Sequence, residues 1–254
     1  MEDKATLADT FHRYFELVPA ATKQLQNEAF KIRYEVYCEE LGYEDPERFA
    51  DQLEQDDFDK HSLHYLLRHK SSQEFAGCVR LAMVDSNTAL PFEFTCGDSL
   101  YLDTARPSDL PSNTCVEISR LAIRSQFRRT RRGQENPYPI DVPKTGAYRG
   151  ITNYPLITYG LYTACFASAL HHNFDNVFVM MEPRLERRLR IVGIKFEQIG
   201  IPVEHRGLRA PYRINTGSAQ LQLSDDLQTL VHDMRLVLNL KETSMAHFNL
   251  QKNA

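Results

Sequence analysis

Cys115-Val116-Glu117-Ile118-Ser119-Arg120-Leu121-Ala122-Ile123-Arg124 sets a carboxylate and a guanidinium inside an apolar run. β-Branched and apolar residues alternate with polar ones, the period of a strand. Val116 and Ile118 face one way; Glu117 and Ser119 face the other. Arg120 shares the parity of Val116 and Ile118, so strict alternation sends it away from Glu117. A bulge or bend between them brings both to one cleft. A carboxylate and a guanidinium within an apolar strand are costly to bury unpaired. Two alternatives stay open here: charges on a solvated sheet face, or a buried functional group.

Upstream, residues 64–69 and 75–84 read as two strands joined by Lys70-Ser71-Ser72. The second holds Arg80 within Gly77-Cys78-Val79-Arg80-Leu81. A helix is expected over residues 22–41, from the spacing of Phe30, Val36, Tyr37 and Leu41 and the stop at Gly42. Arg33 and Tyr37 are four apart, hence on one face. Residues 1–20 read as a short amphipathic helix with Phe11, Tyr14, Phe15 and Leu17 on its apolar side. Residues 43–60 form an acidic loop without the register of a calcium site. It is either solvated, or Asp56 and Asp59 turn inward to a cation such as Arg33 or a substrate ammonium. Residues 91–111 read as an irregular connection with a short helix at most.

Downstream the chain turns basic, with Arg124, Arg128, Arg129, Arg131 and Arg132. A Gly/Pro-punctuated insertion covers about residues 128–150. An apolar helix over 155–172, a buried strand over 176–181 and a short basic helix begun by Pro183 follow. Short strands are expected at 196–199, 203–205 and 212–214, and a C-terminal helix at about 225–240. This order predicts an α/β fold with a mixed central sheet, as a single domain over residues 1–254.

Composition narrows the classes. The 254 residues are 42% hydrophobic, enough for a sizeable core, and the net charge of −4 gives no general attraction to nucleic acid. The five cysteines are scattered, odd in number and never in a C-x-x-C pair, which predicts reduced thiols in a cytoplasmic protein. The polar, acidic Met1-Glu2-Asp3-Lys4 is not a secretory signal. Residues 151–170 carry no formal charge but too many Thr, Tyr, Asn and Ser for a membrane span, so a buried helix is expected. His61 and His64 lack a well-placed third ligand, and no metal site is expected.

Five motifs in order carry a resemblance: Arg33-Tyr-Glu-Val-Tyr37-Cys-Glu-Glu-Leu, Asp56-Asp-Phe-Asp59, Tyr65-Leu-Leu, Gly77-Cys-Val-Arg80-Leu and Glu117-Ile-Ser-Arg120-Leu-Ala-Ile. Over about residues 25–125, and more loosely to about 215, the chain resembles the acyl-homoserine-lactone autoinducer synthases. It equally resembles the N-acyl amino acid synthases and the acyltransferases associated with PEP-CTERM/exosortase systems. Tyr37 stands where the autoinducer synthases usually carry Phe, and the chain has no tryptophan. Those departures, with its size, favour the latter two branches.

The resemblance implies a GNAT-like acyltransferase fold, its mixed sheet splayed at the acyl site and flanked by helices. An amine would attack an acyl thioester lying in the splay, with no metal and no bound cofactor. Glu117 is the expected base, with Arg120 beside it in the catalytic pair, and a backbone N–H within residues 121–123 is expected to meet the oxyanion. Arg33, Asp56, Asp59 and Arg80 are expected in an ion-pair network at the acceptor site. It acts either as a clamp or by direct contact, with Arg80 or Arg120 open to a substrate carboxylate. Tyr37 and Phe58 are expected to wall that site, and the helix over 155–172 and the strand over 176–181 to line an acyl tunnel.

The donor is expected to be an acyl-acyl carrier protein or acyl-coenzyme A. The run Arg124, Arg128, Arg129, Arg131 and Arg132 reads as either a solvated loop or a dock for acidic acyl carrier protein. Ser125-Gln-Phe-Arg-Arg-Thr has no glycine where coenzyme A-dependent members usually carry a pyrophosphate loop, which favours the carrier protein. A coenzyme A-dependent acetyltransferase and a non-catalytic module that binds the carrier protein remain the rivals. The partners expected are the carrier protein and a small amine, with no nucleic acid and no integral membrane segment.

Overall fold

The computed structural model describes residues 6–83, 89–104, 106–128, 138, 140 and 152–241. Thr6 caps α1 (Leu7–Tyr14) through a reciprocal box with Asp9, and Leu7 and Phe11 are buried. The chain then becomes β1 (Phe15–Pro19), paired antiparallel to β2 (Ser62–His69). The single helix expected over residues 1–20 is thus replaced by a helix and a strand. Phe15 and Leu17 share a helical face with Phe11 only on paper. In the fold they face the main core from a strand that extends the sheet edge.

Thr22 caps α2 (Lys23–Tyr34), and the expected helix continues as a π-helical turn, Glu35–Glu40, before Gly42 ends it at φ +62°. β2 pairs with β3 (Phe75–Met83), and β3 with β4 (Cys115–Ile123). α3 (Pro91–Cys96) is the short helix in the irregular connection. After α4 (Ser125–Arg128), the insertion lies outside the described residues except Tyr138 and Ile140. Tyr138 stacks on Phe127 with ring centres 4.4 Å apart.

α5 (Asn153–His171), β5 (Asn176–Met181) and α6 (Pro183–Ile191) follow close to their expected bounds. β6 (Glu197–Gln198) and β7 (Val203–Glu204) are short, and β8 (Leu208–Asn215) is longer than expected because it pairs along all of β5. α7 (Thr216–Gln220) leads to α8 (Asp225–Lys241).

The sheet runs β1-β2-β3-β4-β5-β8-β6, with β7 on β8. Among the described strands, β4 and β5 are the one parallel pair. α1, α5 and α8 share the main core on one face, where Val116, Ile118 and Ile123 of β4 join them. α2 packs on the other face over Leu66, Cys78 and Ala122, and α3 over Cys115 and Phe178. Almost every residue of α5 is buried, which explains its uncharged sequence without a bilayer. No helix among the described residues is long and apolar enough to cross a membrane.

Candidate active site

The ladder between β4 and β5 starts at Cys115–Asn176 and stops at Ile118–Val179, while β4 runs on to Ile123 and β5 to Met181. The two strands therefore part in mid-sheet. The register on the β3 side shifts at the same place, with Arg80 opposite Ser119 but Cys78 opposite Ala122. The extra residue in β4 is a bulge, and within it Arg120 adopts φ +52°, a left-handed conformation that is strained for a residue with a Cβ. The bulge resets the alternation and turns Arg120 to the side of Glu117 and Ser119.

Arg120 donates from Nε to Glu54 (3.1 Å) and from Nη2 to Asp56 (2.9 Å). Arg80, fully buried, donates to Ser119 Oγ (3.0 Å), Asp56 (2.5 Å) and Asp59 (2.9 Å). Arg33 binds Asp59 with both terminal nitrogens, at 2.7 and 3.0 Å, and Glu54 through Nε. Three guanidiniums thus meet three carboxylates in a closed array. Burial opposes charge on Arg33, but Glu54 and Asp59 outweigh it and raise its pKa. Burial likewise works to protonate Asp59, and Arg33 and Arg80 overcome it and hold its carboxyl far below the usual range. His64 lies 3.7 Å from Asp59, and burial pushes its pKa down to about 4, so it is neutral.

Glu117 stands apart from this array. Its side chain is buried, and Phe92 N–H donates to its Oε2 at 2.8 Å. The arginines nearby bond to Glu54, Asp56 and Asp59 instead. Burial pushes the Glu117 carboxyl up to about 7, against the pull of Phe92 N–H, Arg80 and Arg120. A simple Glu117–arginine pair holding the sheet is therefore not what forms.

A cavity of about 520 Å³ opens where β4 and β5 part. Glu117, Asp56 and Arg120 line it on one side, Tyr37 and Phe58 wall it, and Tyr154, Tyr162, Met180 and Met181 carry it inward. Tyr37 donates to Leu121 O at 2.9 Å and so braces the bulge; burial raises its phenol to about 12. Arg33, Asp59 and Arg80 do not line the cavity. They sit behind its wall, held by one another, which removes Arg80 from direct contact with an acceptor.

The basic run divides. Arg124 clasps Glu35 with two nitrogens, at 2.6 and 3.0 Å, and donates to Phe75 O, while Arg128 pairs with Glu40. Both are tied to the π-helical turn after α2 rather than presented as a free dock, because that turn is itself acidic. Arg129, Arg131 and Arg132 lie outside the described residues.

Several residues of the site had no distinguishing signal in sequence. Glu54 was one acid among many in its loop, and Phe92 acts through its backbone. Arg184 and Arg188 on α6, and His205, Arg206 and Arg209 on the β7–β8 hairpin, also line the cavity. Among the described residues no cluster of three or more metal-ligating side chains is present.

Residues 32–134 match the family model for the acetyltransferase (GNAT) domain. The fold is GNAT-like. Solved structures agree along most of the chain. The acyl-homoserine-lactone synthase LasI aligns with a TM-score of 0.57 at 19% identity, over 82% of this chain and 93% of LasI. BjaI, a coenzyme A-dependent acyl-homoserine-lactone synthase, gives 0.56 at 15%, over 87% and 89%. FeeM, an N-acyl amino acid synthase from uncultured soil microbes, gives 0.51 at 14%, over 82% and 94%. No curated protein sequence matches the chain. The matched residues run from the end of α2 to the basic run, and so take in Glu117 and the whole ion-pair array.

Proposed function

We propose that the chain is an N-acyltransferase. It moves a medium or long acyl chain from acyl carrier protein to the amine of an amino acid or similar small acceptor. The observation that carries this reading is Glu117: a buried carboxyl with its pKa near 7, unpaired with the neighbouring arginines, at the point where the sheet opens. An acceptor ammonium loses a proton to Glu117, directly or through water. Its nitrogen attacks the thioester carbonyl, the tetrahedral oxyanion is met by backbone N–H on the unladdered edge of β4, and the C–S bond breaks to release the thiol. Asp56, the exposed corner of the array, faces the incoming cation, and Arg120 fixes Asp56. The part of the cavity between Val179, Met180 and Met181 of β5 and Tyr154 and Tyr162 of α5 takes the acyl chain; the cavity's volume exceeds the needs of an acetyl group.

The exposed cations Arg184 and Arg187 of α6 support an acidic carrier as donor. Among the structural relatives, BjaI takes coenzyme A by its own description, so donor choice is part of the test. Chain length, Tyr37 and the lack of tryptophan support the N-acyl amino acid and exosortase-associated branches over lactone synthesis. Five buried free cysteines support a cytoplasmic setting.

The experiment is thiol release by the purified protein from acetyl-coenzyme A, dodecanoyl-coenzyme A and dodecanoyl-acyl carrier protein, with the twenty amino acids as acceptors. Release from the dodecanoyl carrier protein is expected to lead. Turnover confined to acetyl-coenzyme A would make this a small-acyl acetyltransferase, and binding of carrier protein without turnover would make it a non-catalytic module.

A further inference from the structure

The inner arginines bond to carboxylates of the protein itself; Arg80 keeps a buried Nη2 without a partner but does not line the cavity, and Arg128, which does line it, pairs with Glu40. Arg206 is likewise taken, by Glu44, and its guanidinium lies 5.8 Å over the Tyr43 ring. Arg209 is different. It lines the same cavity, its Nε is buried with no hydrogen-bond partner, and no carboxylate among the described residues pairs with it. Orphaned buried donors of this kind are uncommon and point to a missing acceptor atom.

The hairpin that carries Arg209 is well fixed. Val203 pairs with Arg209 and Glu204 with Leu208, and the turn closes through residues of positive φ at Arg206 and Gly207. The Glu44–Arg206 pair ties its tip to the loop after α2. Within electrostatic reach of His205 lie Arg206, Arg209 and Arg120, set against Glu44. This corner therefore carries surplus positive charge, while Glu117 and Asp56 give another part of the same cavity negative charge. A zwitterion matches that polarity; a simple amine matches only half of it.

We propose that Arg209 is the specificity-determining clamp for the carboxylate of the acceptor, so that the cavity selects amino acids over the corresponding decarboxylated amines. This rests on the transferase reading. A planar guanidinium takes a carboxylate with two parallel hydrogen bonds, and Arg209 Nε stands without a partner. The same fork also accepts a phosphate, so the donor's phosphopantetheine arm is the competing source of the anion.

The test compares Arg209→Gln and Arg209→Lys with the parent protein in two assays. In the first, calorimetry measures binding of N-dodecanoyl-phenylalanine, N-dodecanoyl-phenethylamine and 4′-phosphopantetheine. The parent is expected to bind the carboxylate ligand about 10- to 100-fold more tightly than its decarboxylated counterpart, the range for a charge-assisted bidentate contact. Arg209→Gln is expected to abolish that preference and Arg209→Lys to restore part of it. In the second, kcat/KM for phenylalanine relative to phenethylamine is expected to fall by the same factor in Arg209→Gln, through KM. Equal losses for both ligands, or a loss confined to 4′-phosphopantetheine, would overturn the proposal. Turnover on amines with no carboxylate preference would overturn the clamp and spare the transferase. Carboxylate-selective binding without turnover on any amine would do the reverse.

Discussion

At the scale of single residues the account turns on Glu117, and its raised pKa has a consequence for stability. A carboxyl whose pKa rises from 4.5 in the unfolded chain to about 7 in the fold favours folding fully only below 4.5. That contribution is lost as pH rises to about 7, and above this the cost is constant at roughly 3 kcal/mol, at 1.36 kcal/mol per pKa unit. Glu117→Gln keeps an acceptor for Phe92 N–H and removes the ionisation. The variant is therefore expected to be more stable than the parent at pH 8, with the gap closing towards pH 5, by denaturant titration at both pH values. Its transfer rate is expected to drop about 10²- to 10⁴-fold, and the ascending limb of kcat/KM near pH 7 to disappear. Glu117, Arg120, Asp56 and Asp59 were singled out through the five motifs; their own pattern left a solvated sheet face and a solvated acidic loop equally open. Glu54 was not, since only the fold distinguishes it from the solvated acids around it. Arg209 was not either, since its meaning comes from the cavity it enters.

The elements matter through the bulge in β4 and the array that holds it. Arg33 is 1% exposed and bonds to two carboxylates. Arg33→Met would leave Asp59 to Arg80 and Glu54 to Arg120, with one buried negative charge unbalanced, and the expected cost is about 3–5 kcal/mol, read from urea melts and largely insensitive to salt. Gly77 lies where β3 meets the far end of the bulged strand, and a Cβ there would stand 2.6 Å from Ala122 O. Gly77→Ala is expected to push β3 and β4 apart and destabilise by about 1–3 kcal/mol, with a further loss of transfer activity because Leu121 and Tyr37 shift with Ala122. Periodicity revealed most of these elements: β4, β5, α5, α6 and α8 lie within a few residues of their expected bounds. β1 was hidden because its strand is defined by pairing with β2 rather than by local pattern. The bulge was foreseen only as a condition for bringing Arg120 to Glu117; its left-handed backbone has no signature at a non-glycine residue.

For the whole molecule, a net charge of −4 conceals an uneven surface. The cations expected to dock the donor at Arg124 and Arg128 are paired with Glu35 and Glu40 of the π-helical turn after α2, whereas α6 presents Arg184 and Arg187, both exposed, beside the cavity. With dodecanoyl-acyl carrier protein as donor, kcat/KM is expected to fall several-fold between 50 and 300 mM salt, and about 10-fold in Arg187→Glu, which lies outside the cavity lining. The coenzyme A thioester is expected to respond less to both. A mixed sheet was expected from the order of helices and strands, and its splay from the resemblance that the five motifs carry; the strand order was not foreseen. Nor was the second basic face, because a short Arg-rich helix reads alike whether it borders a cavity or open solvent. The claim that joins these scales is that the opened sheet carries out amide formation with Glu117 as base. Its most direct test is mass spectrometry of organic extracts from a bacterial host expressing the chain, beside the same host expressing Glu117→Gln at equal soluble level. A series of acylated amines spaced by two methylenes, present with the parent and absent with the variant, is the predicted result. The same series at equal abundance in both would contradict it.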